Sequence, residues 1–245
     1  MKSMRALGLA AMMSICGGGG ALAAPAGYPD QGAFDAATAA LSSRQTVDFE
    51  SVASGTVFAS GAGTGGLSFS YAIAGKSIQV SSTFSTTSGS NYLGLDNPDT
   101  AFFLGDSFTI EFNRTVHAVG LYLITGTDTQ PGDLELSAGG ASVFNDGSFI
   151  RLADGGQAYY LGLVETDPTL GFTTATVQGI VSPGAFVAFT ADDITSAVAG
   201  VPAVPEPSSW AIMLAGLGVF AWGSRRIQRR EMPQSPSHPL PESLT

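Results

Sequence analysis

Side chains able to do acid, base, nucleophilic or metal chemistry are few in this chain, and most of them are carboxylates. Its histidines are His117 and His238. A Ser-His-Asp triad needs a histidine as general base, and a zinc site needs several histidine or cysteine ligands. The alternating pattern around His117 reads as a strand with the ring toward solvent, and no G-x-S-x-G turn is present to carry a nucleophile. The single cysteine, Cys16, falls in an N-terminal apolar run, so neither a disulfide nor a thiol site is expected in the body. Gly61-Ala62-Gly63-Thr64-Gly65-Gly66 has the spacing of a dinucleotide-binding loop. That motif works only after a strand and at the start of a helix. Here it opens a β-run, and a flexible loop is expected.

Carboxylates remain. A glycosidase sets two of them ~5 to 9.5 Å apart in a cleft. Asp133 with Glu135, or Glu111 with another acid, are pairs to consider, and nothing in their spacing selects them. Asp48 and Glu50 fall on one face of an alternating stretch, and Asp192-Asp193 close the last expected strand. Tyr92, Tyr122, Tyr159 and Tyr160 have the rings to stack on a sugar, but core packing is the expected role for most. No enzymatic activity is expected from this set.

The elements that position these groups read as strands. Leu67, Phe69, Tyr71 and Ile73 alternate with small or polar residues, as do Phe108, Ile110 and Phe112. Such a period of two places apolar side chains on one face of a half-buried strand. Further short runs at residues 77–80, 116–124, 134–137, 142–144, 158–164, 172–177 and 186–190 are separated by turn residues such as Asp146-Gly147 and Asp154-Gly155-Gly156. The fold class expected is all-β: an antiparallel β-sandwich over residues 46–199, preceded by a leading segment at 24–45. In that segment Phe34, Ala37 and Leu41 share a helical face and Asp30 stands where a cap would, so a short helix is expected. Charged residues make up only 12% of the 245-residue chain, whose net charge is −10. Between Pro25 and Gly200, four basic residues face seventeen acidic ones, a balance of −13. So acidic a body repels nucleic acid, which is excluded as a partner.

Both ends read as addresses. Residues 1–23 combine a basic start (Lys2, Arg5), an apolar stretch too short to span a bilayer, and the small-x-small site Ala21-Leu22-Ala23 followed by Ala24. That is the pattern of a secretory signal peptide, with cleavage expected after Ala23. A lipoprotein reading would acylate Cys16, but Ile15 is too large for the position before such a cysteine. At the other end, a linker from residue 200 leads to Val204, Pro205, Glu206 and Pro207, then to an uncharged apolar run at residues 208–224. As a helix this run covers about 25 Å, slightly under a ~30 Å hydrocarbon core, and it is expected to span the membrane once. Trp210 and Trp222 mark its ends. Arg225, Arg226, Arg229 and Arg230 follow as a stop-transfer cluster held on the cytoplasmic side. The two prolines keep residues 204–207 extended, in reach of a membrane-embedded processing enzyme. Residues 231–245, with four prolines, read as a disordered tail.

The order Pro-Glu-Pro, apolar span, arginine cluster resembles the PEP-CTERM sorting signal. The resemblance implies recognition and processing at Val204, Pro205, Glu206 and Pro207 by an exosortase, a membrane protease-transpeptidase, in Gram-negative-type bacteria that make exopolysaccharide. The fifteen residues after Arg230 depart from the family, whose tails usually end soon after the arginines. The body also resembles the extracellular jelly-roll domains found upstream of such signals. VDFES at residues 47–51, SFTIEFNRTVHAVGLYLITG at 107–126, YYLGLVETD at 159–167 and FVAFTADDIT at 186–195 carry that likeness. Jelly rolls of this kind include carbohydrate-binding modules, and resembling domains hold a structural Ca²⁺ between neighbouring first and last strands. That implies a calcium site using Glu50 and Asp193, with Asp48 or Asp192 assisting. The function expected is a non-enzymatic exported protein. It is tethered in the inner membrane before processing and thereafter located in the cell envelope or outside the cell, structural or adhesive in an exopolysaccharide setting. The alternatives are a carbohydrate-binding module with a defined glycan and, behind it, a secreted hydrolase.

Overall fold

A computed structural model describes residues 24–180 and 187–200 of the chain. In chain order the elements are β1 (Ala26–Tyr28), α1 (Gln31–Thr38), β2 (Ser42–Val47), β3 (Val57–Phe58), β4 (Ala62–Thr64), β5 (Leu67–Tyr71), β6 (Ile78–Ser81), β7 (Tyr92–Leu95), β8 (Phe102–Phe103), β9 (Ser107–Val116), β10 (Ala118–Thr125), β11 (Leu134–Ala138), β12 (Ala141–Phe144), β13 (Ile150–Arg151), β14 (Gln157–Val164), β15 (Phe172–Gly179) and β16 (Ala188–Val198). A ten-stranded sheet runs β1-β14-β10-β16-β7-β6-β3, with β13 on β14 and both β2 and β8 on β16. A six-stranded sheet runs β12-β11-β15-β9-β5-β4. Strand pairing is antiparallel in both. This is the expected all-β sandwich, and it agrees with a jelly-roll-like description.

The alternation read from sequence sets the interior of the sandwich. Leu67 and Phe69 on β5 and Phe108, Ile110 and Phe112 on β9 enter one apolar core with Val119, Leu121 and Leu123 of β10 and Tyr159, Leu161 and Leu163 of β14. Strands β10 and β14 are buried along their whole length. Their other face carries Ala118, Tyr122, Ile124, Ala158, Tyr160 and Val164, which pack under α1 with Phe34. Asp30 caps that helix by accepting the Ala33 N–H at 2.8 Å. Gly162 lets it settle, since a Cβ there would run into the Phe34 ring. A sheet covered on both faces needs apolar residues at consecutive positions, which is why YYLGLV does not alternate. All the tyrosines considered for sugar stacking, Tyr92, Tyr122, Tyr159 and Tyr160, are buried.

Several elements differ from the sequence reading. Pairing begins before residue 46: β1 lies on β14, and the polar β2 lies on β16 with Ile194 opposite Val47. Residues 61–66 form no flexible loop. Thr64 pairs with Leu67, and Gly65 and Gly66, both at positive φ, make the tight two-residue hairpin between β4 and β5. His117 is buried, not solvent-facing. It is the single residue between β9 and β10, its Nδ1 accepts the Ala199 N–H at 3.0 Å, and its Nε2 donates to the Pro168 carbonyl at 3.2 Å. Both ring nitrogens are thus occupied in tying the hairpin to the end of β16.

Among the described residues no helix is long and apolar enough to cross a membrane. The expected signal peptide with Ala21 and Ala23, the motif at 204–207, the span at 208–224, the arginine cluster and the tail all lie outside the described residues. Ala24, the first described residue, is exposed.

Candidate functional site

Strands β6 and β7 are joined by residues 82–91, STFSTTSGSN, a connection rich in hydroxyls and without a charged side chain. Its backbone N–H groups have no strand to pair with, and buried donors must be met somewhere. Carboxylates from three other segments meet them. Asp154 accepts the Ser85 N–H at 2.9 Å through Oδ2. Asp192 Oδ2 accepts the N–H groups of Thr87 and Ser88 at 3.1 and 3.2 Å and the Thr87 hydroxyl at 2.9 Å. The same hydroxyl lies 2.9 Å from Asp193 Oδ2. Glu50 Oε1 accepts the N–H groups of Ser90 and Asn91 at 2.8 and 2.6 Å. These N–H bonds hold the Glu50 carboxyl below its usual range, and those from Gly156 and Ser85 do the same for Asp154.

The acids expected to hold calcium therefore have other partners. Asp192 and Asp193 do not end the last strand. They sit in the middle of β16, where the register with β10 shifts and Asp193 adopts a φ of 51°. Asp192 is fully buried, and burial, reinforced by the neighbouring charge of Asp193, pushes its carboxyl up to about 7. Its second oxygen accepts the Asp193 N–H at 2.8 Å. Asp48 lies past the end of β2 and turns back to accept the Glu50 N–H at 3.2 Å. Calcium requires 6–8 hard oxygens converging on one point. Here each carboxylate is turned toward N–H or O–H donors of the protein, and among the described residues no group of three or more His, Cys, Asp or Glu side chains could hold a metal ion. The donor set does not fit the ion. Titrating the purified chain with CaCl₂ and then EDTA is expected to leave its melting temperature unchanged, and a rise reversed by EDTA would restore the calcium assignment.

The other candidate acids are apart from this cluster. Glu111 accepts the hydroxyls of Ser68 and Ser70 on the six-stranded sheet. Asp133 is buried and accepts the Gln130 N–H at 2.7 Å.

The tethered loop forms one wall of an open groove of about 650 Å³ on the outer face of the ten-stranded sheet. Phe84 projects from the loop, 45% exposed, with its ring stacked on Tyr92 at 6.1 Å. The opposite wall is the β13–β14 hairpin, which brings Arg151, Asp154, Gly155 and Gly156. Ile124 and Thr125 of β10 and Ala188 and Thr190 of β16 make the floor. Asp154 shapes both walls, since its Oδ1 accepts the Gly156 N–H at 2.9 Å while Oδ2 holds the loop.

Residues 203–230 match the family of the PEP-CTERM protein-sorting motif. The chain carries a PEP-CTERM sorting signal. No curated protein and no solved structure matches the chain. The PEP-CTERM match covers Val204, Pro205, Glu206, Pro207 and the arginines Arg225, Arg226, Arg229 and Arg230, and it ends at Arg230. It marks an exported protein that is a target of exosortase-type processing. The groove has no comparable linear signal in the sequence. Phe84 stands in a run of serines and threonines, and Arg151 and Thr190 are far from it in sequence. The one hint was the density of hydroxyls between two strands, in a stretch too long for a hairpin turn.

Proposed function

We propose that this chain is a non-enzymatic component of the cell envelope or extracellular matrix, with a structural or adhesive β-sandwich used in an exopolysaccharide setting. The observation that carries the reading is the sorting motif beginning a few residues after β16, so that the body is the cargo of the signal. In this account the apolar run tethers the chain in the inner membrane until an exosortase-type enzyme acts near Pro207. The engagement of His117, Glu111 and Asp133 by neighbouring protein groups supports a body without catalytic chemistry. The test is fractionation of host cells with and without the exosortase, following mass at both termini. Processing is expected to yield an exported species beginning at Ala24 and ending near Pro207. A full-length chain dissolved in the cytoplasm with both ends intact would overturn the proposal.

A second reading, a body that binds carbohydrate, is favoured by the groove. It combines an exposed aromatic ring with hydrogen-bonding side chains of both signs on a scaffold fixed by several tethers.

A further inference from the structure

We propose that the groove between residues 82–91 and the β13–β14 hairpin binds an uncharged pyranose unit of a polysaccharide, a proposal that rests on the carbohydrate-binding reading. Thr190 is the first observation. Phe189 and Ala191 point into the sandwich core, so Thr190 points to the opposite face, beside Ile124, into the floor of the groove. It is 3% exposed and its hydroxyl has no hydrogen-bond partner. Buried polar groups are almost always paired, so an unpaired one at the base of an open groove points to a partner that arrives from outside.

Phe84 is the second. An aromatic ring that is nearly half exposed would ordinarily be mobile. This one is stacked on Tyr92, and its loop is pinned at Ser85 and again at Thr87. A fixed apolar plane beside Ile124, Ala101 and Ala188 suits the C–H face of a sugar ring. The volume lies within the ~300–1,000 Å³ of small-ligand sites.

The third observation sets the class of sugar. The Arg151 guanidinium makes no hydrogen bond or ion pair among the described residues, whereas Arg44 pairs with Asp35 and Arg114 donates to the Ser43 carbonyl. Arg151 only donates, and ionised Asp154 only accepts. Each Asp154 oxygen takes one N–H and keeps further lone pairs. A donor-only and an acceptor-only group on one wall match sugar hydroxyls, which both donate and accept. A uronate would gain Arg151 but would meet Asp154, within a body carrying a balance of −13. The charges therefore select a neutral ring.

The experiment is affinity electrophoresis and titration of the full-length chain in a detergent without a sugar headgroup, against dextran, galactomannan and polygalacturonate. At least one neutral polymer is expected to bind and polygalacturonate is not. Phe84→Ala and Arg151→Ala should each weaken binding about tenfold. Thr190→Val should weaken binding while leaving the melting temperature equal or higher, because it removes a hydroxyl that has no partner in the free protein. Circular dichroism checks that each variant is folded. If a neutral polymer binds and all three variants bind it as the parent does, the groove assignment falls while the carbohydrate-binding reading stands. Binding of polygalacturonate alone, lost in the variants, overturns the neutral class. If nothing binds, the carbohydrate-binding reading falls and the proposal with it.

Discussion

Phe102→Ala is expected to destabilise the body by about 3–5 kcal/mol, the cost of removing a large aromatic side chain from a closed core. Phe102 belongs to a strand of only two residues and is fully buried. It stacks on Phe108 of the six-stranded sheet at 4.8 Å and on Phe189 of the ten-stranded sheet at 5.2 Å. One ring thus joins the two layers. Phe108 and Phe189 are anchored in long central strands and cannot close in on the space it leaves, so most of the cavity should persist. Urea unfolding followed by far-ultraviolet circular dichroism measures the effect as a lower midpoint at unchanged slope. Phe144→Ala serves as the contrast. Phe144 is 45% exposed at the edge of the sheet, and its loss should cost under ~1 kcal/mol. Equal losses for the two variants would mean that the stacked triplet does not hold the layers together.

What could be read from the sequence tracks how local each signal is. The sorting signal is a linear string, so Pro205, Glu206, Pro207 and the arginines were legible without any fold. Strands β5 and β9 were legible because each has one face in the core, and Phe108, Ile110 and Phe112 alternate accordingly. Strand β2 was hidden because SSRQTV carries an apolar anchor only at Val47. The length of β16 was hidden because two consecutive aspartates read as a strand end. They are tolerated in mid-strand because residues 82–91 bring donors to Asp192 from about a hundred positions away. The groove was illegible for the same reason. Phe84, Arg151 and Thr190 meet only once the strands of the ten-stranded sheet have paired. Acidic residues at strand ends look alike in sequence whether they gather a cation or cap a loop, and only the N–H groups facing Glu50 and Asp192 tell the cases apart.

The pH dependence of stability should turn on Asp192. Its carboxyl is raised to about 7 in the folded chain by burial first and by Asp193 second, against the lowering pull of the Thr87 and Ser88 donors. In the unfolded chain it titrates near ~3.9. Between those values the folded state holds a proton that the unfolded state has lost, so this contribution is full below about pH 4 and disappears as pH rises through about 7. Glu50, Asp154 and Asp167 work in the opposite sense. Hydrogen bonds hold their carboxyls low, so their contribution is present above the ordinary carboxylate range and fades as pH falls. Stability should therefore peak at about pH 4–5, decline by a few kcal/mol as pH rises to about 7, and level off above it. Asp192→Asn separates the two arms. Its amide must turn an N–H toward either the Asp193 N–H or those of Thr87 and Ser88, so the variant should be less stable than the parent at pH 5 by about 1–3 kcal/mol. Having no proton to lose, it should stay flat from pH 5 to 8 while the parent falls, and the two curves should converge. A parent that gains stability over that interval would show that the Thr87 and Ser88 donors outweigh burial and that Asp192 is ionised in the folded chain.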